Sequence, residues 1–407
     1  MGNVMSNKFD AIKERESNLL CNTYGRYPIA ISKAKGSRLY DLDNNEYIDF
    51  LSGIAVCSLG HSRDDLADVM SEQARKLVHI SNLFYQEPQL ELAEKLLSTC
   101  AAGKVFFSNS GAEANEGAIK LARRYMRKVR KTDRYEIITL EKSFHGRTLS
   151  TLTATGQEGP IKDGFSPLPD GFVTVPFGNM NALRGAVGQN TAAIMIEMVQ
   201  GEGGVRPLPT EYVRDIVDLC KENGLLLIVD EVQTGLCRTG RFWAHQHYGI
   251  QPDIFTSAKA LANGLPMGAV LCSDEVAKGF EPGSHATTFG GGGVVSAVAS
   301  KVIDIMLEER LAERAIALGQ LATEEIERIR IKHPDKIVGS RGLGLLFGIE
   351  LAFNGTEVWK RLLAKRIICN LTQGTILRLV PPLTIEEDDI RTFVNELDSI
   401  LGEVDAS

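Results

Sequence analysis

The chain of 407 residues is poor in the features that mark specialised protein classes. Its seven cysteines (Cys21, Cys57, Cys100, Cys220, Cys237, Cys272 and Cys369) are odd in number and contain no C-x-x-C pair. They offer neither a disulfide framework nor a thiolate metal site, and they suit free thiols in the cytoplasm. Positive charge is not in excess: 45 Lys and Arg against 52 Asp and Glu leave a net charge of −7. That argues against a nucleic-acid partner or a membrane surface held by bulk electrostatics. No apolar run approaches the length that crosses a bilayer, residues 225–229 being typical of the longest. The N-terminus has no apolar core of a secretory signal. Met1-Gly-Asn-Val-Met-Ser6 fits the N-myristoylation pattern, but nothing basic or amphipathic follows as a second anchor, so it reads as a chance match in a polar start. Internal repeats and low-complexity segments are absent too. What remains, 43% hydrophobic and 24% charged residues, is the composition of a globular protein with a large core in two or three domains.

From about residue 62 to 285, short apolar runs alternate with longer amphipathic stretches. Strands are predicted at 105–107, 135–140, 172–175, 192–197, 225–229, 254–256 and 268–272. The clearest unit is a buried strand ending in Ala193-Ile-Met-Ile196, a helix over 211–222, then the strand Leu225-Leu-Leu-Ile-Val229. Thr210 is the expected N-cap and Asn223-Gly224 the C-cap, while Val213, Ile216, Val217 and Cys220 form one apolar stripe. Unbroken apolar strands alternating with helices imply an α/β fold: a central, mainly parallel sheet covered on both faces. Ligands of such sheets bind at the carboxyl ends of the strands. The flanks differ. Residues 38–50 read as a hairpin turning at Asn44-Asn45; a long helix is expected from the Gly290-Gly-Gly-Gly293 run to about Arg330, then a strand at 342–350, a helix, a strand at 376–380 and a last helix from Glu386. The expected division is an N-terminal segment 1–61, a large domain 62–289, and a smaller α+β domain 290–407 that the N-terminal segment joins.

Four constellations lie at strand ends. Ser108-Asn-Ser-Gly-Ala-Glu-Ala-Asn-Glu116 opens a helix reaching about Val129; small residues there leave N–H groups that suit either a phosphate or an ordinary capped helix. The basic run Arg123 to Lys131 later in that helix is a solvated face near a helix C-terminus rather than a nucleic-acid site. Asp230, directly after a buried strand, needs a cationic partner such as a protonated pyridine nitrogen, a metal or an arginine. Metal is disfavoured, since no His or Cys cluster of ligand spacing is near. Lys259, among small and apolar residues after the next strand, loses hydration and thus basicity, as an imine-forming lysine requires. Lys142-Ser-Phe-His-Gly-Arg147 sets an aromatic ring, an imidazole and a guanidinium at a further strand end; rings stack on planar cofactors and arginine clamps carboxylates. In this order the parts describe a pyridoxal-phosphate (PLP) site. A dehydrogenase is the competitor, but no G-x-G-x-x-G opens the first strand–helix unit, no phosphate-loop G-x-x-x-x-G-K-[ST] is present, and a dehydrogenase has no use for Lys259. A non-enzymatic anion binder on the same fold would be colourless.

The motifs Asn109-Ser-Gly-Ala-Glu-Ala-Asn115, Phe144-His-Gly-Arg147, Gln200-Gly-Glu-Gly-Gly204, Asp230-Glu-Val-Gln-Thr-Gly235, Ser257-Ala-Lys-Ala260 and Gly283-Ser-His-Ala-Thr-Thr-Phe-Gly-Gly291 resemble the class III PLP-dependent aminotransferases, from residue 22 to the last helix. The resemblance implies the aspartate-aminotransferase-type (fold type I) architecture. It implies that Lys259 bonds the cofactor's aldehyde carbon, Asp230 pairs with the pyridine nitrogen, Gln233 lies near the ring hydroxyl and Phe144 stacks on the ring. Ser110, Gly111 and Ala112 would cradle the phosphate, with Thr288 completing the cradle from the partner subunit of a homodimer. Arg147 would bind a substrate carboxylate, Tyr24 and Arg378 would stand at the entrance, and Glu202 would control Arg378. Ile54 stands where ornithine-specific relatives carry a tyrosine for the free α-amine, which favours N2-acetylornithine over ornithine as donor; the expected acceptor is 2-oxoglutarate. Succinyl-diaminopimelate, ornithine and 4-aminobutyrate are the alternative donors, and an aminomutase the alternative reaction. Three departures stand out: Gly292-Gly293 for the usual Asn-Pro, expected to loosen that loop, Cys237 for a glycine, read as a packing variant, and Met198 for a proline.

Overall fold

A computed structural model of the protein describes residues 7–404, so the myristoylation-type pattern lies outside the described residues. Alternation of side chains decides the architecture. Seven strands form one sheet: β1 (Lys104–Ser108), β2 (Glu136–Leu140), β3 (Phe172–Val175), β4 (Thr191–Ile196), β5 (Leu226–Asp230), β6 (Ile254–Ser257) and β7 (Gly268–Cys272), in the order β1-β7-β6-β5-β4-β2-β3. Every β4 and β5 residue is buried because both faces are covered. Ala193, Met195, Ile228 and Ile254 pack toward α1 (Gly111–Lys128) with its stripe Ala114, Ala118, Leu121 and Tyr125. Their neighbours Ile194, Ile196, Leu227 and Val229 pack on the other face, toward Val213, Ile216 and Cys220 of α2 (Thr210–Asn223). Only β7 runs against its neighbours. The sheet is therefore mainly parallel.

Several local expectations need correction. Pro209 rather than Thr210 occupies the N-cap of α2, because its fixed φ already has the extended value that position needs; Gly224, left-handed at φ +63°, closes the helix as expected. The long helix after the glycine run is two, α3 (Gly293–Glu308) and α4 (Leu311–Lys332), broken where Arg310 turns left-handed at φ +50°. The break gives each helix its own partners: α3 packs on the helices Asp64–Lys76 and Glu87–Ser98, α4 on the terminal helix Glu387–Glu403. The stretch 342–350 is the second half of a hairpin, β8 (Ile337–Leu343) and β9 (Leu346–Leu351), with β10 (Ile376–Leu379) beside β9. Gly342 is required in β8 just before the turn, since a Cβ there would stand 2.1 Å from Leu346 O. The basic run on α1 is more engaged than a solvated face. Arg124 pairs with Glu281, Arg127 with Asp133 at 2.9 Å, and Arg123 donates to the carbonyls of Tyr135, Asp170 and Gly171.

At the N-terminal end, Arg38–Asp41 and Glu46–Asp49 form the expected hairpin, its turn held by Asp41 Oδ1 accepting from the N–H groups of Asp43 (2.9 Å) and Asn45 (2.8 Å). The late strand Ile367–Ile368 joins this sheet in parallel beside Ile48 and Asp49, so the chain's early and late segments share one sheet.

Candidate active site

The ends of β1, β2, β4, β5 and β6 open on one side of the sheet, and there a cavity of about 390 Å³ gathers residues from four constellations distant in sequence. Among its lining are Ser110, Phe144, Arg147, Asp230, Gln233 and Lys259.

At the end of β1 the chain turns into α1 through Ser110, whose Oγ accepts from Glu113 N at 3.1 Å. The hydroxyl proton stays available, and the N–H groups of Gly111 and Ala112, in the first turn, have no intrahelical acceptor. Glu113 folds away from this opening, its Oε2 accepting from Asn109 N (2.6 Å) and Asn109 Nδ2 (2.9 Å). A helix N-terminus cleared of its own carboxylate presents three donors and a positive dipole end to an anion. Gly111 is needed for closeness: a Cβ there would meet Val232 Cγ1 at 2.7 Å.

Asp230 closes β5 and is only 4% exposed. Its Oδ2 accepts from Asn115 Nδ2 (2.7 Å) and lies 2.8 Å from His145 Nδ1, while Oδ1 accepts from Val232 N (2.9 Å). Asn115 is itself oriented by Thr256 Oγ1, which donates to its Oδ1 at 2.8 Å, and Thr256 sits beside Asp230 in the sheet register. These contacts aim the carboxylate, with room on Oδ1 for one more donor from the cavity.

Lys259 follows β6 with its backbone in the left-handed region at φ +44°. Burial lowers its ammonium to about 8, against the nearby carboxylates of Glu202, Asp230 and Glu197, and Arg378 lowers it further. Glu197, in the turn after β4, accepts from Phe144 N at 3.1 Å and so fixes the segment carrying the ring. Burial and the neighbouring Asp230 raise its carboxyl well above the usual range. Burial works to raise Glu202, but Arg378, Lys259 and Gln233 together hold it below that range; Arg378 Nη1 donates to Glu202 Oε1 at 2.5 Å and Nη2 to Asn370 Oδ1 at 2.8 Å. Arg378 is 1% exposed, behind Glu202, rather than standing free at the entrance. Phe144 and Arg147 lie together at the cavity, the guanidinium 5.7 Å from the ring centroid.

Tyr24 and Thr288 are not brought to this cavity within the single chain. Tyr24 is 70% exposed, with Arg26 stacked over its ring, and Thr288 lies on the surface beside the exposed Phe289. The neighbouring Thr287 is the inward one, its Oγ1 accepting from Asn109 Nδ2 (3.1 Å) and Gly290 N (3.2 Å). The glycine run after it is pinned where a loosened loop was expected, by Asn82 Nδ2 on Gly290 O (3.0 Å) and Gln89 Nε2 on Gly291 O (3.2 Å). Ile54 is 40% exposed and outside the cavity lining. Cys237 is buried and its thiol pushed up to about 12 by that burial, as a packing residue. The companions of Asp230, namely Asn115, His145 and Thr256, and the carboxyl of Glu197 were not singled out from the sequence. Their one available signal was position, since each stands within or next to a strand-end motif.

The fold and this cavity define an aminotransferase: residues 21–401 match the family model "Aminotransferase class-III", and the chain belongs to that family. Among its relatives, the chain is 44% identical over 381 residues to the acetylornithine aminotransferase of Methanocaldococcus jannaschii, covering 94% of this chain and 95% of that one. In structure it is similar to the acetylornithine aminotransferase of Elizabethkingia anophelis (TM-score 0.86, 32% identity, 97% and 99% of the two chains). It is similar as well to an ornithine aminotransferase of Toxoplasma gondii with PLP partly occupying its active site (TM-score 0.93, 31% identity, 98% and 95%).

Proposed function

We propose that the chain is a PLP-dependent aminotransferase moving the δ-amine of N2-acetylornithine to 2-oxoglutarate, with N-acetylglutamate 5-semialdehyde and glutamate as products, a step of arginine biosynthesis. The observation that carries this reading is one cavity lined by a desolvated lysine, a donor-held carboxylate and an anion cradle at a helix N-terminus. Among the described residues the buried Gln233 Oε1 has no hydrogen-bond partner, so it is free to accept from a ring hydroxyl.

PLP, when bound, supplies an aldehyde that takes up amines and a protonated ring that draws electrons from the substrate carbon. In this reading Ser110, Gly111 and Ala112 would hold its phosphate, Phe144 would flank its ring and Asp230 would keep the ring nitrogen's proton. Lys259 would take the proton from the amine-bearing substrate carbon as general base and give one back as general acid. Arg147 takes the α-carboxylate of either substrate. Acetylornithine has no second carboxylate, so Arg378 stays with Glu202; 2-oxoglutarate has one, which competes for Arg378. Neither Tyr24 nor Ile54 lines the cavity of the single chain; the reading places both at its approach, where an apolar Ile54 would tolerate an acylated amine, whose charge is gone.

A homodimer, with Thr288 serving the partner subunit's cradle, is part of the proposal. It is supported by exposed apolar side chains at Val78, Leu83, Phe84, Tyr85 and Phe289, too many to leave in water. The shared sheet of early and late strands supports 1–61 with 290–407 as the smaller domain and 62–289 as the larger. The unpaired cysteines support the cytoplasm, and among the described residues no helix is long and apolar enough to cross a membrane.

The test is a donor panel with 2-oxoglutarate, followed by glutamate formation and by bleaching of the cofactor's visible band. Acetylornithine is expected to exceed ornithine, succinyl-diaminopimelate and 4-aminobutyrate by at least about tenfold in kcat/KM. Equal or faster turnover of another donor reassigns the substrate, and a band that no donor bleaches removes the reading.

A further inference from the structure

Away from the active-site cavity, one concavity carries charge of a single sign. The chain's net charge is −7, yet a cavity of about 500 Å³ beside the C-terminal half of α1 is lined by Lys120, Arg123, Arg124, Arg127, Lys128 and Arg134 and by no acidic residue. Helical spacing gathers the first five, which stand at i, i+3, i+4, i+7 and i+8 on one face of the helix. Arg134 joins them from the segment leading into β2. Lys120 lies about 14 Å along the helix axis from Gly111 at the active-site end, so the two cavities are separate.

The chain only partly neutralises this face. Arg124 pairs with Glu281, and Arg127 with the exposed Asp133 at 2.9 Å. Among the described residues the other four have no carboxylate partner. Lys120 Nζ lies 2.8 Å from His285 Nδ1, Arg123 donates to three backbone carbonyls, Arg134 Nη1 donates to Asn223 O at 2.7 Å, and the exposed Lys128 makes no hydrogen bond. Burial, reinforced by Lys120, holds His285 below its ordinary value, so it meets Lys120 as a neutral acceptor and cancels no charge. The Nε of Arg124 is buried and, among the described residues, has no acceptor. Two rings complete the walls: Tyr135, 40% exposed, and Phe280, whose other contact is the stacked imidazole of His285 at 5.2 Å.

We infer that this cavity binds a nucleoside polyphosphate, its phosphates on the cations and its base against Tyr135 and Phe280. Cations crowded on one helix face repel one another, and a ligand with several negative charges relieves more of that repulsion than a single anion does. Guanidinium forks match phosphate oxygens two at a time, and four of the six cations are arginines. Aromatic walls take a planar base, which an inorganic polyphosphate lacks. The enclosed size suits a small molecule rather than a nucleic-acid duplex. Bound phosphate competes with Glu281 for Arg124 and offers Lys128 its first partner.

The full-length holoenzyme is titrated with ATP in magnesium-free buffer by isothermal titration calorimetry, with inorganic tripolyphosphate as the probe that lacks a base. ATP is expected to bind once per chain, about tenfold more tightly than tripolyphosphate, and more weakly as salt is raised. Lys128→Gln combined with Arg134→Gln is expected to weaken ATP by about tenfold or more, with transaminase turnover and circular dichroism unchanged. If the double variant loses its circular dichroism, Lys128→Gln alone replaces it, since that side chain has no bond to the rest of the fold. Absence of ATP binding overturns the inference. Binding that the folded variant leaves intact overturns it as well, because the nucleotide then sits elsewhere, for instance on Arg147. Tripolyphosphate binding as tightly as ATP overturns the assignment to a nucleoside polyphosphate.

Discussion

A lysine is costly to hold where Lys259 stands. Its φ of +44° places a side chain with a Cβ in the left-handed region, a cost of about 1–2 kcal/mol, and burial takes hydration from the ammonium. Both costs serve one property, an amine near neutrality at the working pH. An ammonium has no lone pair to offer an aldehyde. With Lys259 lowered to about 8, the rate at which apoenzyme regains its PLP band is therefore expected to rise through pH 8 and level above it. Below pH 8 each unit removes about tenfold of the reactive form. Lys259→Ala is expected to bind PLP without that pH-dependent step and without turnover. A flat profile in the unsubstituted protein contradicts the assignment. The lysine and the aspartate were legible because each directly follows a buried strand, a position fixed by local pattern. Asn115 and His145 were not, because what gives them meaning is contact with Asp230 across separations of 115 and 85 residues. The pairing of Glu202 with Arg378 was implied by the family resemblance, and the two side chains do meet; what the sequence did not reveal is that Arg378 is buried behind Glu202.

At the scale of elements, continuous burial carried the prediction. All seven strands of the central sheet were anticipated, to within a residue or two at each end, because a sheet covered on both faces leaves unbroken apolar runs between helices. The helix break at Arg310 was hidden because Glu308-Glu309-Arg310 holds no glycine or proline to mark it, and only packing partners on different sides separate α3 from α4; the first strand of the hairpin, β8, was hidden because it is mostly partly exposed and interrupted by Gly339-Ser340-Arg341-Gly342. The element that most directly serves the site is α1, whose use depends on a bare backbone at its start. Gly111→Ala inserts a methyl 2.7 Å from Val232 Cγ1, a short branched side chain with nowhere to swing. The helix start has to move by a few tenths of an ångström, and donors aimed at a phosphate lose their geometry. PLP affinity is expected to fall by about tenfold or more, read by fluorescence titration of apoenzyme, with the far-ultraviolet circular dichroism unchanged. Unaltered affinity means that the anion does not sit on the N-terminus of α1.

At the scale of the molecule, one chain carries a cavity but leaves Tyr24 and Thr288, both predicted to serve it, on the surface outside it. Thr288 faces solvent next to Phe289, and Tyr85 is fully exposed in a segment rich in apolar side chains, a surface that a second copy of the chain would cover. Whether Thr288 acts within its own chain or across an interface can be decided by mixing two defective proteins. Lys259→Ala lacks the amine in its own site; Thr288→Val lacks the hydroxyl in whichever site that residue serves. If Thr288 serves the partner, a heterodimer contains one site with Lys259 from one chain and Thr288 from the other, both intact. Random reassortment makes half of the dimers mixed, each with one complete site, so an equal mixture unfolded and refolded together is expected to recover about a quarter of the unsubstituted activity, above the sum of the two parents. If Thr288 served its own chain, no reassorted dimer would contain a complete site, and the mixture would never exceed the residual activity that Thr288→Val has alone.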